Sequence, residues 1–446
     1  MSTLLLPLLT LACAPDPEVE VTWSADVAPV VAKHCASCHT AGNIAPFALD
    51  EYETASAMAE VMLATVEAGT MPPWLAQETD ECAPPLDFKD DLRLTEGELQ
   101  ILRDWVDAGA PEGDTSDPAP LPEPPSLAVA EPDLTLTTSP PYPVEGSSDD
   151  FPCLILDPQL DEKVWVTELQ LTPSNDKIAH HGLVFHDVYG DAWDYADENG
   201  TFPCFAPPDL AGVLMMTWTP GMSPMITPEN TGMSMGPDSL IVVQMHYHPT
   251  GTSLEYDELT LELDYTTEEP ELEAMQALVG NYDDLNDDGT GLQPGMNDGD
   301  EPEFRIPANV SGHVEEMLYT QEIPIELPLF SVGTHMHYVG RDMKIDLVKG
   351  GEETCLIQTP SWDFSWQRTY SFDVPVDELP TIDIGESLRM RCTYDNTMDN
   401  PFVRDALAER GLEAPSDVFL GDETLDEMCL GLFGILVPTE LVEQLY

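Results

Sequence analysis

Cys35-Ala36-Ser37-Cys38-His39 is a CxxCH motif. Two thiols at this spacing on a helix can add to the two vinyl groups of a haem, and the adjoining imidazole then reaches the iron. The motif alone is equally compatible with a redox pair or a chance match, so its context matters. A second axial ligand is expected roughly 30 to 60 residues further on. Met71, in Met71-Pro72-Pro73-Trp74, stands there after a helical stretch and can present its thioether from a loop. The plain alternative for Met71 is a core methionine. Trp105, on the last helix of this region, is expected against the haem edge, and His34 beside the motif reads as a surface residue.

The second constellation is imidazole. The chain has 10 His, and they are grouped. His180 and His181 lie in a run ending at His186, His246 and His248 in another, and His335 and His337 in Gly333-Thr334-His335-Met336-His337. On a strand, residues two apart share a face, so His335 and His337 can grip one metal. His180 and His181 would point to opposite faces and share a metal only at a bend or bulge, which Gly182 permits. His246 and His248 also share a face, and only the fold decides which one binds. Each pair alone reads as a polar strand face; together they point to metal. Imidazoles with no carboxylate pattern suit copper or zinc, and a thioether favours copper. Asp426-Glu427-Met428-Cys429 supplies a methionine just before an apolar run.

These groups need elements to position them. Residues 22–112 read as helical, with a cap at Ser24 and an apolar face of Met58, Met62 and Val66 on a helix that stops at Gly69. Thr95 and Glu98 form a capping box before a helix burying Leu99, Leu102 and Val106 and ending at Gly109. Residues 113–127, dense in Pro and acid, read as an extended linker. Beyond it the period becomes two, at Leu240–His248, at Leu259–Tyr265, and before and after Gly350-Gly351. Short strands between turn residues suit sandwiches or jelly rolls. The stretch is too long for one, so it divides near residue 275. The expected architecture is a small all-α domain at 22–112, then two all-β sandwiches at 128–275 and 276–446.

Composition narrows the partners. The 446 residues carry 15 Lys+Arg against 84 Asp+Glu, a formal net charge of -69. Such a chain cannot coat a phosphate backbone or an anionic lipid surface, which excludes nucleic acid. No apolar window is long enough for a spanning helix. Residues 1–21 hold a short apolar run ending in small residues at Cys13, similar to a bacterial lipoprotein signal. Export and a lipid anchor at Cys13 are therefore expected. The 9 Cys are Cys35 and Cys38 of the motif and Cys13, Cys82, Cys153, Cys204, Cys355, Cys392 and Cys429, whose scatter suits disulfides outside the cytoplasm.

Residues 22–112 resemble a class I cytochrome c domain, with haem c on Cys35 and Cys38 and with His39 and Met71 as axial ligands. Residues from about 128 to 446 resemble the copper type II, ascorbate-dependent monooxygenases. The residues that carry this second resemblance are His180-His181, the QxHYH of Gln244–His248, His335 and His337, and Asp426–Cys429, in that order. The resemblance implies two jelly rolls with a copper on each side of an open cleft. His180, His181 and His246 would hold the electron-transfer copper. His335, His337 and Met428 would hold the oxygen-binding copper and so be catalytic. It implies disulfides Cys153–Cys204 and Cys392–Cys429, and leaves Cys82 and Cys355 free or paired with each other. It also implies a small-molecule substrate, O2, and an external reductant, either ascorbate-like or a redox protein, for which the fused haem is a candidate. Where peptide-amidating members carry an Arg and a Tyr that anchor a carboxylate, this chain has Gly333 and Leu432. Peptide amidation is therefore not expected, and a smaller or more apolar substrate is. The other function class is a non-hydroxylating haem and copper electron-transfer or copper-binding lipoprotein.

A weaker signal is Asp284-Leu285-Asn286-Asp287-Asp288-Gly289, whose alternate oxygens could wrap Ca2+. The twelfth position is Gly295 rather than Glu, so it is no EF-hand, and in so acidic a chain a solvated loop is the plain alternative.

Overall fold

The computed structural model describes residues 21–41, 43–146, 149–204, 212–251, 253–281, 291–295, 298, 302–421 and 425–442. The leader with Cys13, and Asp284, Asn286 and Asp288 of the calcium-type loop, lie outside the described residues. No helix among the described residues is long and apolar enough to cross a membrane.

The chain divides into two compact units. One comprises residues up to Pro72 together with Arg93–Pro124, and the other comprises Pro73–Leu92 together with Pro125 onward. The first unit is built on helices. A π-turn at Trp23–Val27 runs into Ala28–His34, followed by Tyr52–Glu67 and Glu96–Asp107. Their shared core holds Val27, Val31, Ala59, Met62, Leu102 and Trp105. The capping box forms as expected, with the Glu98 N–H donating to Thr95 Oγ1 and Thr95 N–H to Glu98 Oε2. Thr22, not Ser24, is the residue that precedes the first helix. Ser24 is buried, and its hydroxyl donates to the Glu112 carbonyl at 2.7 Å. Leu99 and Val106 are only half-buried, whereas Trp105 is fully enclosed, 5.8 Å from Trp23. His34 corrects the surface reading. It is buried, because its helix packs that face on Glu96–Asp107, and its Nε2 lies 3.1 Å from Glu98 Oε1.

The start of the expected linker is not free chain. Ala119 N–H donates to Ser24 O, and Gly113 adopts a left-handed φ of 84° against Thr22. The stretch Pro73–Leu92, expected within the helical domain, belongs to the β-rich unit instead. Cys82 is disulfide-bonded to Cys355, Trp74 stacks edge-on against Tyr370 at 4.9 Å, and Gln77 N–H donates to Gln358 O. A covalent link and a buried aromatic outweigh sequence adjacency here.

In the second unit, a five-stranded sheet runs in the order Thr201–Pro203, Pro152–Leu156, Leu240–Tyr247, Ala179–Asp187, Gly212–Trp218. A four-stranded sheet is made by Ser311–Thr320, Ser387–Asp395, Gly340–Lys349 and Glu352–Thr359. A 10-stranded sheet joins the two halves through the parallel pairing of Thr231–Met235 with Leu272–Gly280. Leu272–Gly280 then pairs along its whole length with Leu430–Pro438. Residue 275, near which the two sandwiches are expected to divide, lies within that strand. The turn at Gly350-Gly351, with φ of 59° and 90°, joins its strands as the sequence predicts. Leu240–Tyr247 is buried on both faces, since it is the central strand, so its alternation does not mark a wet face.

Candidate metal centres

His181 and His246 are register partners in the antiparallel ladder between Ala179–Asp187 and Leu240–Tyr247. The next pair is Ala179 with Tyr247, so His180 is the extra residue of a bulge. That bulge resolves the conflict between neighbouring histidines and strand alternation, and it lies at His180 itself rather than at Gly182. Gly182 serves a different purpose: a Cβ there would stand 2.8 Å from Met245 Sδ and 3.0 Å from Leu171 Cδ2.

The three rings converge, with one ring nitrogen from each of His180, His181 and His246 within 4.8 Å of the others. The Nδ1 atoms of His180 and His181 are 3.2 Å apart. Burial pushes His180 down to about 3 and His181 well below the ordinary imidazole value, so both rings are neutral and offer lone pairs. His246 is buried with its Nδ1 lacking a hydrogen-bond partner, while its Nε2 faces Asp149 Oδ2 at 3.2 Å. His248 points away; it is exposed and pairs with Asp149 Oδ1 at 2.7 Å. Neutral, buried and converging imidazoles with an orphaned nitrogen are a donor set for a borderline metal ion.

His335 ends the strand Leu327–His335, and His337 follows two residues beyond, its ring 5.2 Å away. Met336 between them is fully buried on the other side. Gln367 Nε2 donates to Phe364 O at 3.0 Å, which turns Oε1 toward His335 Nδ1 at 2.5 Å. Nδ1 is therefore the protonated nitrogen, and Nε2 carries the lone pair. His337 Nδ1 donates to the Asp426 carbonyl at 3.1 Å, which fixes the same tautomer. Burial lowers His335 to about 4. Both rings thus show the outer-sphere orientation that metal ligands carry.

Met428 precedes the strand Leu430–Pro438 and is held on several sides. Its carbonyl accepts from Tyr394 Oη at 2.8 Å, and the Cys392–Cys429 disulfide fastens the next residue. Glu427 is fully buried and receives the His337 N–H on both carboxyl oxygens, at 2.6 and 2.8 Å. Burial drives its carboxyl well above the usual range. Cys153 is bonded to Cys204.

The two donor sets meet one cavity of about 250 Å³. His181 and His246 line it from one half; His335, His337 and Met428 line it from the other. Phe364 lies against both sets, its ring 5.3 Å from His180 and 5.8 Å from His337. Gly333 and Leu432 are register partners, and Leu432 forms part of the wall. Phe364, Gln367 and Asp149 had no signal in the sequence, since none belongs to a metal-ligand pattern, whereas Glu427 stood within the Asp426–Cys429 motif without a role of its own.

In the helical unit, Cys35 and Cys38 stand in the turn after Ala28–His34 and form no disulfide. His39 Nδ1 lies 3.0 Å from the Phe47 carbonyl, which engages that nitrogen rather than Nε2. Burial raises the Cys35 thiol to about 12. Met71 is half-buried and follows Tyr52–Glu67, its N–H donating to Thr65 O.

Residues 300–433 match the family model for the copper type II ascorbate-dependent monooxygenase, C-terminal domain. That span contains His335, His337 and Met428. The chain is also 25% identical over 251 residues to DBH-like monooxygenase protein 1 of Gallus gallus, covering 53% of this chain and 38% of that protein. The Homo sapiens protein of the same name is 24% identical over 318 residues, covering 66% of this chain and 49% of its own length. The chain therefore spans less than half the length of these curated relatives. Among solved structures, the major capsid protein P2 of bacteriophage PM2 covers 68% of this chain and 97% of its own at 10% identity, but its TM-score of 0.24 is too low to carry an argument.

Proposed function

We propose that this protein is an exported, copper-dependent monooxygenase that hydroxylates a C–H bond with O2. The observation that carries the reading is that His181 and His246, of the three-imidazole cluster, line the same cavity as His335, His337 and Met428. His180, His181 and His246 would hold one copper, and His335, His337 and Met428 the other. Copper supplies O2 binding at the thioether set and single-electron transfer at the imidazole set. The protein's own part is orientation and exclusion. Gln367 and the Asp426 carbonyl hold His335 and His337 in the tautomer protonated at Nδ1, whose lone pair is on Nε2. The disulfide at Cys429 keeps the Met428 thioether on the cavity wall. Leu183, Phe185, Leu278, Leu430 and Leu432 give the cavity apolar sides that keep water from the reacting bond.

Hydroxylation of R–H by O2 to R–OH and water consumes two electrons and two protons. In this reading they come from an external reductant, and the helical unit is a c-type haem carrier that relays them. Cys35 and Cys38 would bind the haem, with His39 and Met71 as axial ligands. Two cysteines outside any disulfide, and a His39 whose Nδ1 is engaged by the Phe47 carbonyl, fit that role. Three disulfides and a CxxCH motif both suit an oxidising compartment, which supports export.

The test is copper and iron per chain, on protein matured in a periplasm with copper supplied. Two coppers and one iron are expected, with O2-dependent hydroxylation in a substrate screen. Iron with no tightly held copper would sink the oxygenase.

A further inference from the structure

The imidazoles of the two donor sets have ring partners of different charge. At the methionine-containing set both partners are neutral: the Gln367 amide oxygen for His335 and the Asp426 carbonyl for His337. At the three-imidazole set the partner is a carboxylate. Asp149 Oδ2 stands 3.2 Å from His246 Nε2, and its other oxygen is 2.7 Å from His248 Nδ1. Asp149 is not one of the three converging donors. The nearby buried Glu427 accepts the His337 backbone N–H and meets neither ring proton.

The contact at 3.2 Å is an ion-pair distance rather than an aligned hydrogen bond. It still decides the tautomer. A carboxylate takes a proton donor, so the ring proton of His246 belongs on Nε2 and the lone pair on Nδ1. Nδ1 is buried with no hydrogen-bond partner. Phe151 stacks on the same ring at 4.5 Å and 16°, so the imidazole is held by its face as well as its edge. His248 fastens the other end of the carboxylate.

We infer that Asp149 is a positioning residue that acts through His246 and makes the three-imidazole copper site prefer Cu(II). The attraction of an ion to a carboxylate scales with the ion's charge, so a dipositive copper gains twice what a monopositive one gains. A neutral amide or carbonyl orients a ring without adding that preference, and the Met428 thioether favours Cu(I). The two sets are thereby ordered. One electron passes downhill when Cu(I) at the three-imidazole set becomes Cu(II) and Cu(II) at the methionine-containing set becomes Cu(I). That direction rests on the monooxygenase reading; the preference at the three-imidazole set rests only on copper binding there.

The experiment measures Cu(II) and, without air, Cu(I) affinity of each set in the full-length chain at pH 7, by competition with chelators of either ion. Asp149→Asn keeps the shape and removes the charge. It is expected to weaken Cu(II) at the three-imidazole set about tenfold or more beyond any loss of Cu(I), and to leave the methionine-containing set unmoved. Gln367→Glu gives His335 a carboxylate partner, and is expected to shift that set toward Cu(II) by about tenfold. Equal losses of both ions in Asp149→Asn would make Asp149 a merely structural residue and overturn the proposal. So would unchanged affinities, or a methionine-containing set that Gln367→Glu does not shift. A wild type that binds no copper removes the proposal and the oxygenase together. The expected shifts in a protein that hydroxylates nothing under O2 leave Asp149 its role and remove the oxygenase; hydroxylation without the shifts does the reverse.

Discussion

Gln367 holds His335 by a 2.5 Å contact from its amide oxygen to Nδ1, and its own nitrogen is tied to the Phe364 carbonyl. The amide therefore cannot rotate without losing one of the two bonds. Replacing Gln367 with Leu keeps the bulk and removes the acceptor. Copper affinity at the methionine-containing set is expected to fall by roughly 10- to 100-fold. Affinity at His180, His181 and His246 is expected to stay the same. Competition titration against a copper chelator resolves the two sites, and an equal loss at both would contradict this role.

Met428 is a cavity-wall residue whose backbone, not its side chain, carries the structural hydrogen bond from Tyr394. Met428→Ala should therefore fold. Hydroxylation is expected to be lost while the haem absorption spectrum is unchanged. If the β-rich unit only bound copper, the variant would match wild type in every activity assay.

The Cys82–Cys355 disulfide joins residues 273 apart in sequence and fastens the Pro73–Leu92 stretch to the β-rich unit. Replacing both cysteines with Ala is expected to lower the stability of that unit by roughly 2–4 kcal/mol. Hydrogen exchange should rise most around Gln77, whose N–H bonds Gln358 O. Unchanged protection there would show that packing of Trp74 alone retains the segment.

Glu98 gives the helical unit a pH dependence. Its partial burial would raise the carboxyl, but hydrogen bonds from Lys33, Thr95 and His34 outweigh burial and hold it at about 2, below its ordinary 4.5. A carboxyl depressed in the folded state adds stability that is fully present above about 4.5 and is lost as pH falls toward 2. Glu98→Gln keeps a side chain able to complete the capping box. The stability gap between wild type and this variant, followed by hydrogen exchange of Glu96–Asp107, should be full at pH 6 and close by pH 2. A gap that persists at pH 2 would assign it to packing instead.

Much of this protein was legible without coordinates because the signals are local. The capping box at Thr95 and Glu98, the Gly350-Gly351 turn, and the period-two run Leu259–Thr266 each depend on residues within a turn or a strand of one another. The donor motifs are local in the same sense: CxxCH, the paired histidines and a methionine before an apolar strand are each recognised within a few residues of sequence.

Tertiary structure decided which of those donors meet. His246 rather than His248 joins the cluster because the central strand buries one and the edge beyond it exposes the other. His180 turns toward His181 because the ladder skips a residue there. Gln367 reaches the cavity through a strand pairing that brings Thr369 beside Gly333. Trp74 leaves the helices that flank it in sequence for a disulfide-linked place on the sheets. The physical reason is common to all four. Periodicity and caps are set by neighbours along the chain, whereas strand register and burial are set by residues far away in sequence, whose pairing energy appears only once the whole sheet is assembled.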